Sequence, residues 1–296
     1  MAEILATFVH ISDTHFEPAV RLDHQTAYAS PRIQAFFKEL SDKGIDLGAA
    51  HRASVSSEVA NRALVDAVNA LPFPIDFVLH TGDVMTDAAS AEQYEAAQSI
   101  MDGLNAPVYY LRGNHDHNDG LRSLMPSVET ANGTLDYVIN HNGVRIVCVD
   151  SATHGVDHGG RLSDEQLLWL KEQLAAEPEK PLLAAIHHPP LLLGSDMMDF
   201  FGVTNGVQVH DVFKAAVPRL QGVFFGHIHQ VVDMVRDGVY YSCVQSPISQ
   251  PVLIPGGLSA EGLQHEPNPG FTLVVVTSEQ TYFRRVNYPM PVPETA

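Results

Sequence analysis

Short apolar runs that stop at polar turn residues and alternate with amphipathic stretches constrain this chain more than any other feature. ILATFVHI (4–11), PIDFVLH (74–80), PVYYL (107–111), VRIVCVD (144–150), LLAAIH (182–187) and GVFFGH (222–227) are short and almost wholly apolar. They read as strands buried on both faces. Between them, SSEVANRALVDAVNAL, SAEQYEAAQSIMDGL and SDEQLLWLKEQLAAE carry helical spacing, each opening on Ser with Glu close behind, as N-caps do. The last third turns to hairpins: VVDMVRDGVYYSCV bends at Asp237-Gly238, and GFTLVVVTSEQTYFRRV makes a second. This order predicts an α/β sandwich on mixed sheets. Without a linker, repeat or low-complexity break, residues 1–296 read as one domain. Two insertions interrupt it: about 16–55, with a short helical stretch (PRIQAFFKELSDKG), and a Pro/Gly-rich segment at about 247–270.

Charge narrows the partners. The formal net charge is −18, from 35 acidic and 17 basic residues. Duplex nucleic acid and anionic membranes need clustered Lys and Arg, so neither is expected as a partner. A small anionic substrate stays allowed, because bound cations reverse the local potential. Cys148 and Cys243 lie inside apolar runs and read as buried strand residues, not a disulfide framework. The first residues run straight into a strand and no run of 18 apolar residues occurs, so a cytoplasmic enzyme is expected. The oligomeric state, a homo-oligomer included, is left open.

The chemistry gathers where the strands stop. The chain has 16 histidines, several beside Asp, Asn or Gly at the ends of apolar runs. Asp13-Thr14-His15, Gly82-Asp83, Gly113-Asn114-His115-Asp116, His187-His188 and Gly226-His227-Ile228-His229 each close a strand. In an open α/β sheet the strand ends are where ligands bind, so these groups are expected to converge. Carboxylate, imidazole and amide oxygen without thiolate form a donor set suited to Mn, Fe, Co, Ni or Zn. On extended backbone, residues i and i+2 face the same side, so Asp13 and His15 are expected to grip one ion together, and His227 with His229 to repeat the pattern. The glycines before Asp83, Asn114 and His227 suit close backbone approach. Singly, such motifs are ordinary polar turns; five in series at strand ends are not.

This ordered set resembles the calcineurin-like metallophosphoesterase superfamily, whose pattern is Asp-X-His, Gly-Asp, Gly-Asn-His-(Asp/Glu), His and Gly-His-X-His. VDSATHGVDHGGRLSDEQLLWLKEQL is also similar to the branch holding bacterial class III cyclic-nucleotide and glycerophosphodiester phosphodiesterases. The resemblance implies a four-layer α/β/β/α sandwich and a binuclear site. Asp13, His15 and His229 would hold one divalent ion; Asn114, His187 and His227 would hold the other; Asp83 would bridge them. The reaction implied is hydrolysis of a small phosphodiester by a metal-activated hydroxide, the ions being Mn, Fe, Co or Zn. His115 would face the phosphate as the catalytic side chain, oriented by Asp116, and Asn205 would stand at the substrate rim. Arg112 would contact a phosphate oxygen, or else pair with one of the many carboxylates.

The remaining residues read more simply. His10 and His80 belong to buried strands as hydrogen-bonded core groups, and His188 should point into packing. His117 follows the motif and can reach the substrate mouth; His154, His158 and Arg161 occupy the Gly-rich loop. Phe200 and Phe201, after His187, either stack on a substrate base or anchor their loop. Two other functions stay in view: a phosphomonoesterase on the same metals, and an inert binding scaffold, against which the full ligand set argues. A nuclease is disfavoured, for want of a basic groove.

Overall fold

The computed structural model describes residues 2–16, 31–44, 55–86, 90–155, 157–251, 255–256 and 268–290. Most of the two expected insertions, 17–30 and 45–54 in one and 252–254 and 257–267 in the other, lies outside the described residues.

The apolar runs form two mixed sheets. In the first, β1 (Ile4–Ile11), β2 (Phe77–His80) and β3 (Val108–Tyr110) run parallel. Strands β10 (Gly270–Thr277) and β11 (Thr281–Asn287) extend it antiparallel, in the order β11-β10-β1-β2-β3. The second contains β4 (Tyr137–His141), β5 (Val144–Val149), β6 (Leu182–Ile186), β7 (Leu220–Phe225), β8 (Asp233–Arg236) and β9 (Val239–Cys243). Its order is β4-β5-β6-β7-β9-β8, with β5, β6, β7 and β9 parallel and the edge strands antiparallel. The β8–β9 hairpin turns at Asp237 and Gly238, with φ of 51° and 84°, the paired left-handed conformation of a two-residue turn.

Strand alternation explains why the central strands β5, β6 and β7 of the second sheet are apolar on both faces. Ile146, Cys148, Leu183, Ala185 and Phe224 join the core that holds Phe8 and Phe271 of the first sheet. Their neighbours Val147, Val149, Leu182, Ala184, Ile186, Val223 and Phe225 face the other way, onto a second core. Helices complete the layers: α1 (Pro31–Asp42), α2 (Ser57–Asn69), α3 (Ala91–Met101), α4 (Asn118–Leu124), α5 (Asp164–Ala175), α6 (Asp196–Asp199) and α7 (Gly206–Lys214). Leu64, Val68, Tyr94 and Ala97 of α2 and α3 pack into the first core; Leu170, Leu174, Val209 and Phe213 of α5 and α7 pack into the second. The result is a mixed α/β sandwich in which the two sheets share a core and helices cover their outer faces.

Local chemistry sets the ends of these elements. Ser163 caps α5 through a reciprocal pair: its hydroxyl accepts from Gln166 N (3.2 Å), and Gln166 Oε1 accepts from Ser163 N (3.1 Å). The partner is Gln at the third helical position, not the expected Glu. Strand β4 and helices α4, α6 and α7 have no counterpart among the sequence patterns. β4 is a half-exposed edge with polar alternation, and α4 is barely two turns, so neither carries a strong apolar period. Among the described residues no helix is long and apolar enough to cross a membrane.

Phe224 ties the sheets together. It is wholly buried, with its ring 5.6 Å from both Phe8 and Phe283 of the first sheet and 5.0 Å from His10. Phe224→Ala is expected to destabilise the fold by about 3–5 kcal/mol, read as a lower denaturant midpoint. A loss below about 1 kcal/mol would show that the sheets do not depend on this contact.

Candidate metal centre

The five motif segments do meet, at the carboxyl ends of β1, β2, β3, β6 and β7. Backbone bonds set the first two side by side: Asp13 N, His15 N and Phe16 N donate to the carbonyls of Gly82, Asp83 and Val84 at 2.9, 3.0 and 2.8 Å. Asp13, in turn, accepts His227 N on both carboxylate oxygens, at 3.1 and 3.0 Å. The third segment closes on Asp83, whose Oδ1 accepts His115 N at 3.0 Å. Glycine makes this approach available. A Cβ on Gly113 would lie 2.0 Å from Asp83 Oδ1, and one on Gly82 would lie 2.6 Å from His187 Nδ1.

The backbone that presents these groups is not the extended one expected for Asp-X-His. Asp13, His15, Asp83, His227 and His229 have φ of 56°, 40°, 55°, 72° and 58°. Five non-glycine residues in the left-handed region carry strain that local side-chain preference alone does not explain, a pattern found at functional sites. The side chains of Asp13 and His15 converge on a chain curled by two left-handed residues, while those of His227 and His229 join different donor groups; Thr14 and Ile228 between them are buried.

Donor atoms converge in overlapping groups. Asp13, His15 and His229 form one, Asp13, Asp83 and His187 another, His15, Asp83 and His115 a third, and His187, His188 and His227 a fourth; within each, the atoms lie within 4.8 Å of one another. Asp83 Oδ2 is 3.2 Å from His187 Nε2 and 3.7 Å from His15 Nε2. His187 Nδ1 is bonded to Thr81 O at 2.8 Å and His229 Nδ1 to Ser249 O at 3.0 Å. These bonds to carbonyls make each Nδ1 a donor and turn Nε2 to the centre, where a metal ion can take the place of any proton it holds. Asn114 directs Oδ1 to within 3.2 Å of His187 Nε2, and its Nδ2 faces His158 Nδ1 at 3.1 Å. Among the described residues His227 Nδ1 is buried with no hydrogen-bond partner, and the His15 and His229 Nε2 atoms meet at 3.0 Å. Imidazole nitrogens crowded together beside two buried carboxylates form a donor set that fits divalent cations with N/O preference.

Electrostatics agree. Burial pushes the Asp13 carboxyl up to about 7. Burial also pushes Asp83 up, but the positive charge on His187, then on His115, outweighs it and holds Asp83 well below the usual carboxylate range. His187 is pulled down by burial and raised further by the Asp83 carboxylate, to about 9. A protonated His187 paired with an ionised Asp83 substitutes for a cation. His10, His80, His188 and His227 are all lowered, chiefly by burial.

Other expected residues are placed as follows. His115 stands at the centre, its ring 5.1 Å from those of His15 and His158. Asp116 differs from expectation: its carboxylate accepts Gly113 N (3.0 Å), Val84 N (3.2 Å) and Met85 N (3.0 Å). With both oxygens occupied by backbone, it braces the turns bearing Asp83 and His115 and acts on the His115 ring only through them. Arg112 donates from Nε to Asp116 O (2.9 Å) and from NH1 to Thr153 Oγ1 (2.7 Å), a tie neither of its expected readings included. Asn205 lacks the expected freedom to meet a substrate. Its Oδ1 accepts Leu162 N (3.2 Å) and its Nδ2 donates to Leu162 O (2.9 Å), so it staples α7 to the Gly-rich loop. His117 is exposed at the start of α4, beside an open cavity that Arg112 and Tyr94 also line. His10 and His80 are buried and bonded to Thr81 and Thr14. His188 packs against His187 and His227 with its nitrogens on Ser151 Oγ and His158 O. In the Gly-rich loop, His154 and Arg161 are exposed, and His158 alone turns inward to Asn114.

A pH dependence follows for the metal-free protein. Between pH 7 and 9 the four lowered histidines are neutral in the fold and largely so unfolded, while Asp13, Cys148 and Cys243, all raised by burial, change stability in the same direction as His187. His187 holds its proton only in the fold, because its folded value, about 9, lies above the unfolded 6.5. Its stabilisation is therefore lost as pH rises through that window. Chelator-treated protein is expected to melt at lower temperature at pH 9 than at pH 7, with added divalent metal raising Tm more at pH 9. A flat or rising profile would show that no such proton is held.

The comparisons with known proteins bear on this geometry. The calcineurin-like phosphoesterase family profile matches residues 6–231. The chain is 33% identical over 186 residues to the 3′,5′-cyclic adenosine monophosphate phosphodiesterase CpdA of Vibrio vulnificus, covering 63% of this chain and 66% of that protein. It is 32% identical over 187 residues to a probable glycerophosphodiester phosphodiesterase, GpdQ, of Arcobacter nitrofigilis, covering 62% and 67%. The match thus spans about two thirds of these relatives' length. In three dimensions the chain is similar to a dimetal phosphatase from Danio rerio, with a TM-score of 0.68 at 14% identity over 98% of this chain and all of that one; the likeness is one of fold. With the profile spanning every one of the five strand-end segments, the chain belongs to the calcineurin-like phosphoesterase family.

Proposed function

We propose that the chain hydrolyses small phosphodiesters with two divalent ions, drawn from Mn, Fe, Co or Zn. The observation that carries this reading is the convergence on Asp83: it touches the donor groups of both expected ions, and the His115 backbone as well. Asp13, His15 and His229 would hold the first ion, Asn114, His187 and His227 the second, with Asp83 shared. When bound, such ions polarise a phosphoryl oxygen and acidify a water near neutral pH. The chain's own groups do the rest. His115, held by its amide on Asp83, is placed to hand a proton to the departing ester oxygen or to donate to a phosphoryl oxygen. Arg112, held by Thr153 and Asp116 O, adds positive charge beside the same turn.

A diester is favoured over a monoester. A monoester dianion calls for several cationic donors, whereas Arg112 is half-buried beside the motif turn with two of its donors already committed and Arg161 is exposed. The relatives named above are both phosphodiesterases, one cyclic and one glycerol-based. The cytoplasmic and single-domain readings and the open oligomeric state rest on the sequence alone.

Two outcomes are expected. His115→Ala keeps its metals yet loses roughly 10²-fold or more in turnover, with a larger loss on alkyl than on p-nitrophenyl esters. Equal losses would reduce His115 to a positioning group. On paired substrates, 2′,3′-cyclic AMP or glycerophosphoethanolamine is expected to exceed 5′-AMP or glycerol phosphate in kcat/KM. Monoesters ahead by about tenfold, or 1.4 kcal/mol, would overturn the diester reading.

A further inference from the structure

Two segments border the candidate metal centre from different sides. The Gly-rich loop brings His158 to Asn114 and His115, with Asp157 and His158 both left-handed at φ of 52° and 62°. The 195–204 segment brings Phe201 to within 6.3 Å of the His227 ring. They are stitched together directly: Gly160 N donates to Gly202 O at 3.1 Å, and Thr204 N to Gly160 O at 2.8 Å. Helix α1, from the 16–55 insertion, lies across both. Phe36 stacks on Phe200 at 4.0 Å and meets Phe201 edge-on at 5.5 Å, and these pack with Leu40 and Met197 in a small cluster separate from both main cores.

One side chain ties all three. The Arg32 guanidinium lies 4.0 Å from the centre of the Phe200 ring. Its NH2 donates to Phe200 O at 2.7 Å, and its NH1 is 3.8 Å from Asp157 Oδ2. A planar fork that stacks on a ring while donating to a carbonyl and pairing its charge with a carboxylate fixes relative position in a way a lysine cannot. The Asp157 end sits next to His158, the inward residue of the loop, and the Phe200 end sits next to Phe201, the inward residue of the other segment.

We propose that Arg32 is a positioning residue for the substrate's second ester arm: it clasps the helix of the insertion across the two segments and sets the separation of their inward residues, His158 and Phe201. This rests on the phosphodiester reading of the same site. The reacting phosphoryl group and its leaving group meet the strand-end residues, which Arg32 does not touch. The second arm extends outward between His158 and Phe201, so loosening the clasp weakens the hold on a bulky arm and leaves a small one little affected. In Phe200 and Phe201 the loop-anchoring role is the one the contacts support.

The test uses two diesters with one leaving group, bis(p-nitrophenyl) phosphate and methyl p-nitrophenyl phosphate, on the metal-loaded full chain. Arg32→Gln is expected to lower kcat/KM about tenfold on the bulky diester, mainly through KM, and about twofold or less on the methyl diester. Asp157→Asn, which tolerates the left-handed backbone, is expected to show the same bias more weakly. In hydrogen exchange, peptides covering 34–42 and 196–201 should exchange faster in Arg32→Gln than in the wild type, with or without substrate. Equal effects on the two diesters, or no effect on either, would overturn the proposal, and so would unchanged exchange. A wild type that turns over neither diester would instead overturn the phosphodiester reading, leaving the exchange comparison to judge the clasp.

Discussion

The Asp83 carboxylate is the point on which the candidate site depends. It lies in the turn after β2, the strand between β1 and β3, so the turns after all three come to it. Its backbone carbonyl accepts His15 N and its Oδ1 accepts His115 N, while Oδ2 faces His187 from the other sheet. An ionised carboxylate so deeply buried needs compensating positive charge or hydrogen bonds. Here it finds both, and the groups that compensate it are the groups a metal centre needs. The same demand accounts for Gly113, where a methyl would lie only 2.0 Å from Asp83 Oδ1.

Around that carboxylate the backbone departs from ordinary strand geometry in a consistent way. The strand ends curl through left-handed residues at Asp13, His15, Asp83, His227 and His229. Such strain persists only where surrounding structure over-determines it. The two sheets supply that rigidity through the shared core of Phe8, Phe224 and Phe271. Asp116 adds a brace at the turns themselves, accepting three amides from residues 84, 85 and 113. Burial and the Asp83 charge raise its pKa to about 6, so it is largely ionised near neutral pH and can serve as that acceptor.

Much of this was legible in the sequence because strand ends carry their own signal: an apolar run, a glycine, then Asp, Asn or His. The expected runs at 4–11, 144–150 and 182–187 match β1, β5 and β6 to within a residue or so, since strands buried on both faces have an unbroken apolar pattern. What failed did so for identifiable reasons. Same-side geometry for Asp13 and His15 was argued from extended backbone, and φ of non-glycine residues is invisible to composition. Asp116 accepts backbone amides of neighbouring turns and Asn205 both accepts from and donates to Leu162, and such backbone partners have no sequence pattern. Arg32 was not singled out at all. Its importance comes from Phe200 and Asp157, more than a hundred positions away, and only the fold brings them together.

The central claim is that two ions share Asp83. It is tested most directly by anomalous scattering from crystals of the full chain loaded with manganese. The account predicts two peaks per chain, one among Asp13, His15 and His229 and one among Asn114, His187 and His227, with an Asp83 oxygen coordinating both. A single peak, or two peaks of which only one touches Asp83, would contradict it.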